Sequence, residues 1–99
     1  MESNANGNYA KFDSGLLIQW GVWTNYTSNT SKNFPLSFVD TNVSMSFNVG
    51  YSPDPLTNVN QIGQYVQSAS IFSAVLYKAN GSEYSSEVNL RWIAIGRWK

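Results

Sequence analysis

Three carboxylates in predicted loops, Asp54, Glu83 and Glu87, are the side chains of this 99-residue chain that could support hydrolysis. A glycosidase needs two carboxylates that converge on one bond, but Asp and Glu in turns are more often solvated surface groups. The sequence contains no histidine and no cysteine, so the commonest general base and every thiolate metal ligand are absent. We therefore expect a protein that is not an enzyme, with no metal site and no cofactor.

Binding chemistry is better represented, because tyrosine, asparagine, serine and glycine concentrate in three polar stretches, 24–33, 50–64 and 79–86. A tyrosine ring can stack on the apolar face of a sugar, and Asn or Asp side chains can pair with its hydroxyls. This composition predicts a carbohydrate-binding surface on loops. The candidate ligand-binding residues are Tyr51, Asp54, Asn58, Asn60, Tyr26 and Tyr84. For each tyrosine the alternative is that it caps the hydrophobic core.

Charge and hydropathy exclude two classes of partner. The formal net charge is +0, and charged residues make up 12% of the chain, whereas a nucleic-acid-binding surface needs a basic stripe. No apolar run approaches the roughly 20 residues that a bilayer-spanning helix requires. We therefore expect neither a nucleic-acid partner nor membrane insertion.

The elements that carry these loops are predicted to be strands. Aromatic residues reach 15%, serine and asparagine disfavour helix interiors, and no segment keeps a helical apolar period over three turns. The prediction is an all-β fold, a small antiparallel β-sandwich of six to seven strands over residues 9–99, preceded by a linker or N-terminal extension over 1–8. Val43–Val49 alternates cleanly, 34–38 is predicted to be an edge strand, and 65–77 is predicted to bend at 68–70. With these directions, the three polar loops share one end of the sandwich.

Two strands, in GLLIQWGVW (15–23) and LRWIAIGRW (90–98), are apolar on both faces. In the first, the face formed by Leu16, Ile18, Trp20 and Val22 is predicted to line the core. Deep burial is predicted for Trp20, Phe47 and Trp92. The second apolar face indicates either a central strand between two layers or a subunit interface, and we favour the interface. Its candidate residues are Leu17, Trp23, Ile93, Ile95 and Trp98.

Both ends of the chain resemble a known family. The segment NGNYAKFDSGLLIQWG (6–21) is similar to the opening of the C-terminal receptor-binding domain of many bacteriophage and prophage tail fibres, and RWIAIGRW (91–98) is similar to its ending. Between them, FPLSF (34–38) and VSMSFNV (43–49) resemble the Phe-Pro-x-x-Phe element and the alternating strand of these domains. The resemblance spans nearly the whole chain in order.

This resemblance implies a β-sandwich similar to the H-type lectins and a homotrimer at a fibre tip. It also implies binding to a bacterial surface glycan, such as lipopolysaccharide, or to an outer-membrane protein. The location it implies is the tail fibre tip of a virion, after synthesis in the bacterial host cytoplasm. The matching motifs are structural and transfer no ligand residues. Two alternatives remain open: a structural trimerisation module without a ligand, and a free-standing carbohydrate-binding lectin.

Overall fold

A computed structural model describes residues 2–49, 61–78 and 80–99, which form two antiparallel sheets and contain no helix. In chain order the strands are β1 (Glu2–Asn4), β2 (Gly7–Lys11), β3 (Leu16–Tyr26), β4 (Lys32–Asn33), β5 (Ser44–Val49), β6 (Gln61–Val66), β7 (Ile71–Tyr77) and β8 (Val88–Arg97). One sheet has the order β1-β2-β3-β8-β5 and the other has the order β4-β7-β6. The predicted all-β sandwich is confirmed, and its described residues form eight strands where six to seven were predicted.

The centre of the larger sheet is the long pair β3–β8. Its register places Trp20 opposite Ile93 and Ile18 opposite Ile95. The alternating segment 43–49 forms β5, which pairs with the other side of β8 and places Phe47 opposite Trp92. The predicted bend at 68–70 is also present, because β6 and β7 are joined there as a hairpin.

The first eight residues, predicted to be a linker, instead contribute a hairpin to the sheet. In this hairpin β1 pairs with β2, with Asn4 opposite Gly7. The side chain of Asn4 accepts a hydrogen bond from the Asn6 amide at 2.9 Å and donates one to the Pro35 carbonyl at 2.8 Å. This hairpin is therefore fixed to the rest of the domain by polar contacts that the periodicity of apolar residues cannot indicate.

The predicted edge strand at 34–38 is absent, and the segment is held in an irregular conformation. Pro35 has no N–H for a sheet ladder. The amides of Phe34 and Phe38 donate to the carbonyls of Ser70 and Ala69, at 2.9 and 2.8 Å. Both phenylalanine rings are buried, so residues 34–38 cover one end of the core without forming a strand. They are called the covering segment below.

Aromatic rings fill the space between the two sheets. The ring centroid of Phe34 lies 4.7 Å from that of Phe72 and 5.9 Å from that of Trp92. Trp92 is buried, as predicted, whereas Phe47 is half-buried and packs against the core from its edge. A second cluster contains Tyr26 and Leu90, near the end where β3 finishes. Burial of these apolar side chains is the main source of the stability of the fold.

The face assignment predicted for β3 is wrong. Leu17 and Gln19 are fully buried, whereas Leu16, Ile18 and Trp20 are only half-buried and Val22 is exposed. The inward face therefore carries a polar residue, and the more apolar face is outside. The cause is a pair of hydrogen bonds: the Gln19 side chain donates to the Leu36 carbonyl at 2.7 Å and accepts from the Leu36 amide at 2.8 Å. A buried polar group that is paired in this way carries little desolvation cost.

The strand directions agree with those predicted. Tyr26, at the end of β3, pairs with Val88 at the start of β8, and Val49, at the end of β5, pairs with Leu90. On the smaller sheet β6 begins opposite Tyr77, the last residue of β7. Segments 27–31, 50–60 and 78–87 therefore join strands whose ends lie at one end of the sandwich, called the loop end below.

Candidate recognition surface

Two of the predicted ligand-binding tyrosines belong to the core. Tyr26 is 1% exposed, and its hydroxyl donates to the Thr30 carbonyl at 2.6 Å and accepts from the Ala74 amide at 2.8 Å. Burial raises the pKa of Tyr26 above 10.0, and its backbone hydrogen bonds partly offset this effect. Tyr84 is also buried. Neither ring has a face free for a sugar, so the alternative reading of these two residues as core caps describes them correctly.

The other four candidates, Tyr51, Asp54, Asn58 and Asn60, lie outside the described residues. Their contribution to binding stays a prediction. The described strands on either side of them end at the loop end, as given above.

The predicted interface residues fall into two groups. Leu17 is fully buried within a single chain and has no surface for a partner. Trp23 and Trp98 are half-buried, with Lys32 Nζ 4.5 Å from the Trp23 ring and Lys11 Nζ 4.3 Å from the Trp98 ring. Ile93 and Ile95 are 38% and 43% exposed on the outer face of the larger sheet. Only these last two match the exposed interface that the sequence predicted.

The outer face of the larger sheet carries an apolar patch. Its core is the cross-strand pair Ile18–Ile95, with Leu16, Trp20 and Ile93 around it. Side chains directly opposite on an antiparallel pair have Cβ atoms about 4.5–5.5 Å apart, so these residues form one continuous surface. The edge strand β5 adds the polar residues Ser44, Ser46 and Asn48 to this face. We call Leu16, Ile18, Ile93 and Ile95 the apolar patch.

A surface cavity of about 640 Å³ lies beside this patch, toward the loop end. Its volume is within the roughly 300–1,000 Å³ typical of small-molecule sites. It is lined by the β1–β2 hairpin together with parts of β3 and β8, namely Ser3, Asn4, Ala5, Asn6, Gly7, Asn8, Trp20, Gly21, Val22, Arg91 and Trp92. We call it the hairpin cavity. A second depression of about 240 Å³ lies on the β5 side of Arg91.

Two glycines allow close packing in the wall of the hairpin cavity. A Cβ atom on Gly21 would lie 3.1 Å from Trp92 Nε1, and a Cβ atom on Gly7 would lie 2.8 Å from the Trp20 carbonyl oxygen. Gly7 also has a φ of 141°, which side chains disfavour. The backbone consequently approaches the buried indole of Trp92 closely, and this contact leaves no room for a side chain at either position.

The polar groups around the hairpin cavity are only partly engaged. The Asn4 side chain holds the hairpin, as described above. The side chains of Ser3, Asn6 and Asn8 make no hydrogen bond to any described residue. Arg91 is exposed and forms neither an ion pair nor a side-chain hydrogen bond within the described part of the chain. The cavity therefore presents one guanidinium, unpaired amides and a half-buried indole, that of Trp20.

Sequence reasoning missed this cavity because it assigned Trp20 to the core and residues 1–8 to a linker. One signal was available in the sequence. Gly7 lies in the NGN turn shortly before Tyr9, and Gly21 directly follows Trp20 in the QWG segment. Glycine next to bulky side chains in a strand indicates close backbone approach. The residues that line the cavity, however, come from strands that are far apart in the sequence.

Fold and surface together define a class: a small antiparallel β-sandwich with connecting loops gathered at one end and an uncovered apolar face on its larger sheet. The model of the family described as "Putative tail fiber protein gp53-like, C-terminal" matches residues 11–97. The chain belongs to this family and is a phage tail fibre C-terminal domain, a virion-associated tail component. No curated protein matches the chain. Within the described ranges there is no helix long and apolar enough to cross a membrane.

Proposed function

We propose that this domain is the trimeric receptor-binding tip of a tail fibre, and that it recognises carbohydrate on the host cell surface. It binds without catalysis, at the end of a virion fibre assembled in the bacterial host cytoplasm. The family match supports the tail fibre context. The trimer and the ligand class are inferences from the surface.

The observation that carries this proposal is the exposed apolar patch. In a two-sheet sandwich the outer faces normally carry polar residues. Here Ile93 and Ile95, two residues apart on the central strand β8, are neighbours on the outer face of the larger sheet. Contiguous apolar surface of this kind marks association sites. In a trimer, each patch faces the symmetry axis and packs against both neighbouring copies.

The second support is the position of the loops. The strands that three connections join end at the loop end, where sandwich domains commonly bind ligands. The hairpin strand β1 runs toward this end, so Glu2, its first residue, lies level with Gln19 and farther from the loop end than Asn4. Three copies side by side would present three sites to a repetitive surface glycan, and multivalent attachment increases avidity without any new contact.

Binding of the purified domain to host cells and to a panel of bacterial surface polysaccharides tests the proposal. Retention of the domain on cells, lost after periodate oxidation of the surface sugars, is the expected result. Retention that survives periodate but not protease would identify an outer-membrane protein as the receptor. A trimer that binds no cell or polysaccharide in the panel would instead be a structural trimerisation module.

A further inference from the structure

We propose that the hairpin cavity binds an acidic sugar, with Arg91 pairing to its carboxylate and Trp20 stacking on its ring. This inference rests on the proposed function and deepens it by naming the class of sugar and the residues that select it. It assigns recognition to the N-terminal hairpin and the outer sheet face, rather than to the tyrosines of the loops.

The charge of the cavity favours an anion. Arg91 is its charged lining residue, and none of the described lining residues is an Asp or a Glu. The register places Arg91 between Val22 on β3 and Asn48 on β5, so its direct cross-strand neighbours offer no negative charge. A guanidinium binds a carboxylate through two parallel N–H···O bonds. A carboxylate-bearing ligand is therefore the natural complement of this position.

The shape and the remaining polar groups favour a sugar over a simple anion. Trp20 lies between Asn8 on β2 and Ile93 on β8, and it presents a half-buried indole to the cavity. An indole face packs against the C–H face of a pyranose ring. The side chains of Ser3, Asn6 and Asn8, which bond no other described residue, can both donate to and accept from hydroxyl groups. This combination of one cation, one aromatic ring and several amides matches an acidic monosaccharide unit.

The cavity is already formed in the free protein. Asn4 fixes the hairpin through its two hydrogen bonds, and Gly7 and Gly21 let the backbone pack tightly on Trp92 in the cavity wall. Binding consequently requires little ordering of the wall, which favours affinity. Ile93, directly opposite Trp20, is the patch residue nearest the cavity, and Ile18 and Ile95 lie farther from the loop end, so the cavity is at the rim of the apolar patch rather than at its centre.

The test is an NMR titration of the ¹⁵N-labelled domain with methyl glucuronoside and, separately, with methyl glucoside. These probes differ only in the carboxylate. We expect the glucuronoside to shift the Trp20 indole N–H and the backbone amides of Asn8 and Arg91, and the glucoside to bind more weakly. Arg91→Gln should weaken glucuronoside binding by roughly tenfold or more and abolish the preference for the acid, because a charge-assisted hydrogen bond is lost.

Arg97→Gln is the matched control, because it removes the same charge from the same strand at the opposite end of the sheet. Arg97 donates to the Ser14 carbonyl at 2.8 Å and does not line the cavity. Glucuronoside affinity should be unchanged in this variant. Equal binding of the two sugars, equal effects of the two variants, or no shift at Trp20 would overturn the inference. If the wild-type domain binds cells and Arg91→Gln binds them equally well, the inference is overturned and the proposed function is unaffected. If the wild-type domain itself does not bind cells, the proposed function is contradicted.

Discussion

Gln19 shows how one residue decides the orientation of a strand. It is fully buried, and it pairs with the amide and the carbonyl of Leu36 as a neighbouring strand would. Because residues 34–38 form no ladder, this side chain supplies the missing backbone partners. The side chain of Gln19, on the face of β3 that was predicted to point outward, therefore joins the larger sheet to the covering segment.

Replacing Gln19 by leucine tests this role. The variant leaves the half-buried Leu36 N–H and C=O without the side chain that pairs with them, so we expect the free energy of unfolding to fall by about 1–3 kcal/mol. Urea denaturation of Gln67→Leu is the control, because Gln67 is exposed and, among the described residues, its side chain bonds only the Ser31 hydroxyl. The control should change stability by less than about 0.5 kcal/mol. Equal effects of the two substitutions would contradict the role assigned to Gln19.

Tyr26 predicts a dependence of stability on alkaline pH. Burial raises its pKa in the folded state above the ordinary value of 10.0, so the folded chain holds the phenol proton to higher pH than the unfolded chain. The resulting stabilisation is complete below pH 10 and is lost as the pH rises from the unfolded pKa through the folded one. The melting temperature of the wild type should therefore fall more steeply above pH 10 than that of Tyr26→Phe, which cannot ionise there. Parallel curves would show that Tyr26 titrates alike in both states.

At the scale of elements, β8 is the strand around which the domain is built, since it pairs with both β3 and β5. Its residues alternate strictly between buried and exposed. Gly96 is buried near its end, where a Cβ atom would lie 2.7 Å from Phe38 Cδ1. The covering segment can pack on β8 at Phe38 only because position 96 has no side chain.

Gly96→Ala should consequently displace the Phe38 ring and lower the free energy of unfolding by about 1–3 kcal/mol, as overpacking does. Gly63→Ala is the comparison, because a Cβ there meets its nearest atom at an ordinary 3.7 Å. That change should be nearly neutral or slightly stabilising, since alanine restricts the unfolded chain. Chemical denaturation of both variants measures the difference. A neutral Gly96→Ala would show that the covering segment does not pack closely on β8.

For the whole molecule, the question is what covers the apolar patch. A trimer predicts a mass in solution of three times the 11.1 kDa chain, measured by light scattering. Ile95→Asp places a charge in the patch and should dissociate the assembly, because an unpaired charge buried at an interface is strongly unfavourable. Val39→Asp is the control: Val39 is also apolar and exposed, but it lies outside the strands. A wild type of monomer mass, or an Ile95→Asp variant that stays trimeric, would contradict the proposed interface.

The fold class could be predicted from the sequence, and so could the alternating faces of β5 and β8, the bend at 68–70 and the common end of the strands that lead into the three loops. These features follow from local rules of alternation, turn residues and strand direction. It also indicated, through Ile93 and Ile95, that one outer face is apolar.

Which face of β3 lies inside, and the hairpin that begins at residue 2, could not be predicted, because both depend on contacts that form only when the domain folds. Both faces of β3 are apolar enough to be buried, so the choice depends on distant contacts: Gln19 with Leu36, and Gly21 with Trp92. Periodicity measures how apolar a face is, but it cannot show whether a polar residue will find a buried partner or where a large ring will find room. The hairpin cavity arises from the same cause, because the side chains that line it are brought together from four strands only when the sheet forms.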